Sequence, residues 1–511
     1  MNWFSYAIDP LLRFLERRLE GIPIYSLPVN RPAERGRRRP APLIVERYTV
    51  LGLADDVKPS VSSMHEFSIV EHGARAFELA TGNKLHRNPT KGKCKVLLLG
   101  RWRGTVQQED IGFPHLRIVE SLAFIGVSLT ANWQRTKREN MDELTARVKS
   151  TVGAWKSGKF QPLVCRPHSV NTYCLSKIWF RTHTVDMREG DIKKISSLVK
   201  KYIYQDMFEK PSETLLFRPV SLGGLGLSHI GCKALANRLC SFLQTAANPS
   251  FQTSIYHSAL YNYYCCNDDS LGIPALPPYY PDSFFQIIRE VKENTLLNPV
   301  RMSVREWYRY LLEERMTHSH SVPGDLASPL ELVKTRAEEN SPELDWPAIY
   351  QLSRRKGLDQ DRKSFLFKLQ NSLLGCKERL AQLLPQASPA CQLCPAPQPV
   401  ETASHYFFGC QHNKEAGMAV ISLIRPLDQS FTIEKALKCD IKCDALYETP
   451  AILILATGLE LIAERRKENK RTSVAEVRAE LESLCGLLHR ARARRLREAA
   501  DMVRNQITNF M

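Results

Sequence analysis

The stretch Tyr48-Thr49-Val50-Leu51-Gly52-Leu53-Ala54-Asp55-Asp56-Val57 decides how this chain is read. A β-prone run, Tyr48 to Leu51, precedes two adjacent aspartates, and a second short extended run, Val57 to Val61, follows them. Asp55 and Asp56 are therefore expected at a hairpin turn. Aspartate is common in turns because its side chain bonds the local backbone, so the pair alone carries little weight. Carboxylates placed there can nevertheless share divalent ions. Nucleotidyl transfer is commonly run by two such ions about 4 Å apart, and Mg²⁺ takes one or two carboxylates while keeping several waters.

The surroundings sharpen the reading. Before the pair, Phe4-Ser5-Tyr6-Ala7-Ile8-Asp9-Pro10-Leu11-Leu12 opens a helix over residues 4 to 20, with Ile8, Leu11, Leu12, Leu15 and Leu19 on one face and Arg13, Arg17 and Arg18 opposite. After it, Phe67, Val70, Ala74 and Phe77 give helical spacing from His65 to Thr81, with Ser63 as cap and Gly82 as stop. A strand ending Leu97-Leu98-Leu99-Gly100 comes next, then Phe124-Ile125-Gly126-Val127-Ser128-Leu129. In this order, Ala54-Asp55-Asp56 resembles the third palm motif of the reverse transcriptases of LINE-type (non-long-terminal-repeat) retrotransposons. The segment at Phe4 is similar to the helix after that family's template-gripping motif, and Phe124 to Leu129 to its primer-grip hairpin.

The resemblance implies an RNA-directed DNA polymerase that uses Mg²⁺ or Mn²⁺, with Asp55 and Asp56 as metal ligands. It also implies a third carboxylate on a strand well upstream, and no such motif precedes Asp55; Asp9 belongs to the wrong element. The expectation is an N-terminally truncated fragment without polymerase activity of its own and without an endonuclease.

Composition agrees with a globular protein of two to four domains: 511 residues, 43% hydrophobic and 24% charged. Lys and Arg number 71 against 54 Asp and Glu, a net charge of +17, so the partner is a polyanion or the surface is simply basic. Fourteen cysteines in a long chain without a secretory signal point to free or metal-bound thiols in a reducing, intracellular setting, nuclear or cytoplasmic. The apolar run Ala451 to Ala463 contains Thr457, Gly458 and Glu460 and is read as too short and too polar to cross a bilayer, so no membrane is expected.

From Asn140 the period is helical through Met141, Leu144, Val148, Val152 and Trp155, with Lys156, Lys159 and Arg166 just beyond. A helix from Asp191 to Tyr204 sets Ile192, Ile195, Val199 and Ile203 on one face and Lys193, Lys194, Lys200 and Lys201 off it. This resembles the thumb that straddles primer-template, and it implies that these seven basic residues contact RNA and DNA through phosphate without reading sequence. Gly223-Gly224-Leu225-Gly226-Leu227 lacks the Lys-Ser/Thr of a phosphate loop and is read as a turn. Prolines 274, 277, 278 and 281 suggest a boundary between 262 and 282.

A second chemical signal is Cys391-x2-Cys394-x10-His405-x4-Cys410, a spacing that supplies four ligands for tetrahedral Zn²⁺, with His412 or Cys439 and Cys443 as alternatives. It is also similar to the zinc-binding segment downstream of the polymerase in LINE-type elements. Ser473 to Glu476 has capping-box form and opens a helix carrying Val477, Leu481, Leu484 and Leu488, available for self-association, with Arg490, Arg492, Arg494, Arg495 and Arg497 beyond.

The fold class expected is α+β. A partial palm of small antiparallel sheet and helices (1–131) precedes a helical thumb (132–245), a linker and helical region (246–380), the zinc segment (381–425) and a C-terminal helical region (426–511). Two other classes stay open: a non-catalytic nucleic-acid-binding protein of retrotransposon origin, and a zinc-dependent interaction scaffold.

Overall fold

The computed structural model describes residues 2–27, 43–48, 50–53, 56–82, 94–124, 126–156, 161–205, 207, 210–248, 254–267, 273–274, 280–294, 297–317, 338, 341–352, 354–384 and 386–509. It is mostly helical, with short strands. Two compact units interleave along the chain. Met1–Val148, Ser176–Ile195 and Ile230–Leu311 form the first; Lys149–Leu175, Ser196–His229 and Leu312–Met511 form the second.

Every described strand falls in the first unit. β1 (Ile22–Leu27) pairs antiparallel with β2 (Leu43–Tyr48), while β3 (Val50–Leu53) pairs with β4 (Asp56–Pro59) in the register Val50↔Pro59 through Leu53↔Asp56. The latter is the expected antiparallel pair; Ala54 and Asp55, between its strands in sequence, lie outside the described residues. Pro59, which cannot donate to a ladder, ends a strand that has only one described partner. β5 (Lys95–Leu97) and β6 (Arg117–Val119) run parallel, a departure from the all-antiparallel expectation. β7 (Ser121–Phe124) and β8 (Val127–Thr130) form the second expected hairpin, Phe124↔Val127. β9 (Ile273–Pro274) pairs back on β1, so residues 262–282, read as a boundary, lie inside this unit.

The first helix, Asn2–Arg18, buries Leu11 and Leu15, and Leu19 follows them into the core. They pack with Val57, Val61, Ile69, Val70 and Phe77, so the aspartate hairpin is seated through Val57 on two helices. Helix Met64–Thr81 begins in a capping box between Ser63 and Glu66 and ends at Gly82, whose φ of 72° is the left-handed conformation glycine adopts at least cost. Helix Trp133–Lys156 starts a full two turns before its apolar stripe at Met141. On that early part, fully buried Asn140 donates to the Ser128 carbonyl at 2.7 Å and accepts from its N–H at 3.0 Å, fixing the β7–β8 hairpin.

The second unit is helical among the described residues apart from one isolated bridge, Ala390↔Val400. Its centre is helix Ala445–Lys467, buried from Pro450 through Leu459. Helices Gln360–Gln370, Lys414–Ile424, Val474–His489 and Arg494–Asn509 pack around it. At 23 residues it is longer than the run from which it was judged, and by length and composition alone it could cross a membrane. Here its apolar side chains make the core of the unit. Val477, Leu481, Leu484 and Leu488 are buried in that same core, so the face expected for self-association is covered within the chain.

Candidate metal centre

The metal segment is folded by its own backbone. The Cys391 N–H donates to the Pro399 carbonyl and the Glu401 N–H to that of Pro389, both at 2.8 Å, closing a loop around the first two cysteines. Two residues later a helical turn begins: the His405 N–H bonds the Thr402 hydroxyl at 3.0 Å, and the Cys410 N–H returns to the His405 carbonyl at 2.7 Å. Cys391, Cys394, His405 and Cys410 thereby converge, their ligand atoms all within 4.8 Å of one another.

The separations fit a tetrahedral ion. With Zn–S near 2.3 Å and Zn–N near 2.05 Å, a regular tetrahedron has S···S edges of about 3.8 Å and S···N edges of about 3.6 Å. Cys394 Sγ lies 3.8 Å from Cys410 Sγ and 3.6 Å from His405 Nε2, and Cys391 Sγ lies 4.0 Å from Cys410 Sγ. All three sulfurs are buried. A Cys3His cluster of this shape can hold a metal such as zinc. The alternatives are set apart: neither His412 nor the Cys439 and Cys443 pair joins the cluster, and Cys439 is a core residue whose thiol burial pushes up to about 12.

Electrostatics around the cluster are set by Arg466, from the end of helix Ala445–Lys467. Its Nη1 donates to Cys410 Sγ at 3.0 Å, its Nη2 to Cys391 Sγ at 2.9 Å, and Nη2 also to the Glu401 carboxylate. Burial opposes ionisation of Cys391, yet the guanidinium and the Leu393 N–H hold this thiol below the ordinary cysteine range. Burial raises the Cys410 thiol to about 11, with the neighbouring Cys391 sulfur adding to the effect. His405 is held below the ordinary imidazole value by burial and then by the Arg466 charge, which keeps the ring neutral, the form that binds metal.

The acidic site is only partly visible. Asp55 lies outside the described residues, as does the side chain of Asp56, which heads β4; among the described residues the Cys3His cluster is the one group able to hold a metal. Two residues along β4, Lys58 Nζ stands 5.7 Å from the centroid of Phe124 on β7, so the two hairpins touch at this pair.

The basic residues divide. Lys193 and Lys194 are exposed, although Lys193 is paired with Glu189 at 2.7 Å; Lys201 is exposed and Lys200 is half-buried against Glu213 and the Phe217 ring. The Lys156 side chain and all of Lys159 lie outside the described residues. Arg166 corrects the expectation: it is 1% exposed and donates from Nε to the Gln161 carbonyl and from Nη1 to the Ile203 carbonyl, both at 2.7 Å, so it splices two backbone segments and cannot meet phosphate. In the glycine turn, the N–H groups of Gly224, Leu225, Gly226 and Leu227 all donate to backbone carbonyls, leaving none of the four for a nucleotide.

Glu401 and Arg466 were not singled out from the sequence. Arg466 sits in a run, Arg465-Arg466-Lys467, that reads as an exposed basic helix end. One signal was available: it continues the stripe Leu455, Leu459, Ile462 by a step of four, all three of them buried. No family model and no curated protein matches the chain.

Proposed function

We propose that this chain carries the late-palm, thumb and zinc-binding segments of a LINE-type RNA-directed DNA polymerase and binds primer-template. The observation that supports the reading is the Leu53↔Asp56 pairing, an antiparallel pair of strands whose second strand opens on Asp56. Lys58 on β4 touches the ring of Phe124, in the hairpin that resembles that family's primer grip. The Cys3His cluster follows in the family's order.

In this reading Asp55 and Asp56 supply carboxylates to the divalent ions of nucleotidyl transfer. Val57, packed on the flanking helices, keeps the hairpin from drifting. Asn140 fixes the second hairpin, which would set the primer end. Lys193, Lys194 and Lys201 neutralise phosphate. Zinc at Cys391, Cys394, His405 and Cys410 would supply a structural cross-link.

The test is binding of an RNA-DNA primer-template to the full chain by fluorescence anisotropy, from about 50 to 200 mM salt, together with primer extension in Mg²⁺. Expected are salt-sensitive binding, the same affinity in the D55N/D56N double variant, and no extension by that variant. Absence of binding at low salt refutes the nucleic-acid reading. Extension that persists in the double variant refutes the role given to the aspartate pair.

A further inference from the structure

We infer that Arg466 is the counter-charge of the metal centre: its guanidinium, held by Glu401, bonds two of the ligand sulfurs and couples metal loading to the core helix Ala445–Lys467. The inference rests on the metal reading of the Cys3His cluster and adds to it a positioning residue 56 positions beyond the last ligand.

The argument begins with what a buried guanidinium requires. Arg466 and Glu401 each have 5% of their side chain exposed. Removing an ion from water costs several kcal/mol unless strong, well-directed acceptors replace the solvent. A neutral thiol is a weak acceptor. Arg466 nevertheless aims one terminal nitrogen at Cys410 Sγ and the other at Cys391 Sγ, a fork laid across two ligands rather than one carboxylate. That fork puts the cation where a metal bound to three sulfurs would leave excess negative charge.

Charge supplies the second step. Three thiolates, a neutral imidazole and Zn²⁺ sum to one negative charge, which burial penalises. One guanidinium cancels it. Glu401 then restores an anion, and its own carboxylate is satisfied by Arg466 and, at 3.1 Å, by the Lys377 N–H. The Arg466 guanidinium also lies 5.3 Å from the centroid of the Tyr406 ring, whose hydroxyl bonds the Ala463 carbonyl at 3.3 Å. The metal segment and the helix are thus joined at two points one turn apart.

Two roles follow. Hydrogen bonds to the ligand sulfurs lower the charge each donates to the ion, and the cation spares the buried group, Glu401 included, a second negative charge. Ligand-supporting partners of this kind are typically worth about 10- to 100-fold in metal affinity.

The experiment is zinc competition against a chelator on the full chain, with cobalt(II) substitution as a second readout. One zinc per chain is expected for the parent. R466M should bind about 10- to 100-fold more weakly, and its thiolate-to-cobalt charge-transfer band should move to longer wavelength, because a sulfur deprived of its donors gives up electron density more readily. R466K keeps the charge but cannot span both sulfurs, so its affinity and band should fall between the two. A parent chain that takes up no zinc overturns the metal reading and this inference together. A zinc-loaded parent whose R466M variant keeps affinity and band position overturns the inference alone. Should R466M fail to fold, R466K decides, and an unshifted band there overturns the inference.

Discussion

Glu460→Gln should stabilise the second unit above neutral pH and have little effect in acid. Glu460 lies on the core helix with 18% of its side chain exposed, and the nearest cation, Arg362, stands at 3.4 Å through Nε. That guanidinium is already engaged by Asp359 and, at 3.2 Å, by Glu480. Burial therefore dominates: it pushes the Glu460 carboxyl from 4.5 to about 7, against the pull of Arg362 and with help from Asp359, Glu464 and Asp361. The folded state thus holds this proton more tightly than the unfolded chain does. Below pH 4.5 both states are protonated and nothing is lost. Between 4.5 and 7 the unfolded chain ionises first, so stability falls as pH rises. Above 7 the loss is complete, at about 2.5 times about 1.4 kcal/mol, or about 3.5 kcal/mol as an upper bound. Partial solvent contact reduces it to about 1–3 kcal/mol. Glutamine has the same shape and cannot ionise, and Arg362 keeps two other partners. Thermal melts of parent and E460Q at pH 5 and pH 8 make the check, since their difference cancels every titration the two proteins share. At about 2–4 °C per kcal/mol for a unit of this size, the variant should melt about 2–10 °C higher at pH 8, with most of that gain gone at pH 5. A shift equal at both pH values, or a loss at pH 8, would mean that the Arg362 pairing outweighs burial.

Three further outcomes are expected. Glu66 is buried yet held below the ordinary carboxylate value, because the N–H groups of Ser62, Glu20 and Ser63 all donate to it. Its contribution is present above the unfolded value and lost as pH falls through the lowered one; E66A should cost about 1–3 kcal/mol at pH 7 by denaturant titration, and much less near pH 3. A Cβ on Gly224 would sit 2.1 Å from the Arg218 carbonyl oxygen, a backbone atom that cannot step aside. G224A should therefore cost more than about 2 kcal/mol, while G375A, which meets nothing within 4 Å, should leave the melting temperature nearly unchanged. Chelation of zinc, or C410S, should lower the stability of the second unit by about 4 kcal/mol when free zinc had stood a thousandfold above its Kd; C443S, outside the cluster, should keep its zinc by metal analysis.

What could be read from sequence was whatever a short window contains. Helix Met64–Thr81 carries its cap, its apolar stripe and its glycine stop within about twenty residues, and it forms as expected between Ser63 and Gly82. Helix Val474–His489 does the same with its own capping box. The Cys391 to Cys410 spacing brings its four ligands together because turn geometry close to the ligands does most of the work. Pairings set by distant backbone were not legible: β9 returning to β1, β5 lying parallel to β6, or two units interleaved along the chain.

The arginines make the physical reason plain. Charge read in a local window points to solvent or phosphate, but a guanidinium goes wherever enough acceptors are fixed for it, and these come from elsewhere in the fold. Arg166 finds the Ile203 carbonyl 37 positions away, and Arg466 finds the Cys391 sulfur 75 positions away. Each occupies an apolar register position, Arg166 between Leu163 and Val170, Arg466 after Leu459 and Ile462, and all four of those neighbours are buried. A charged residue in phase with a buried stripe is thus better read as a search for an anion or carbonyl inside the protein. At Arg466 that search ends on two sulfurs, which turns a basic helix end into part of the metal centre.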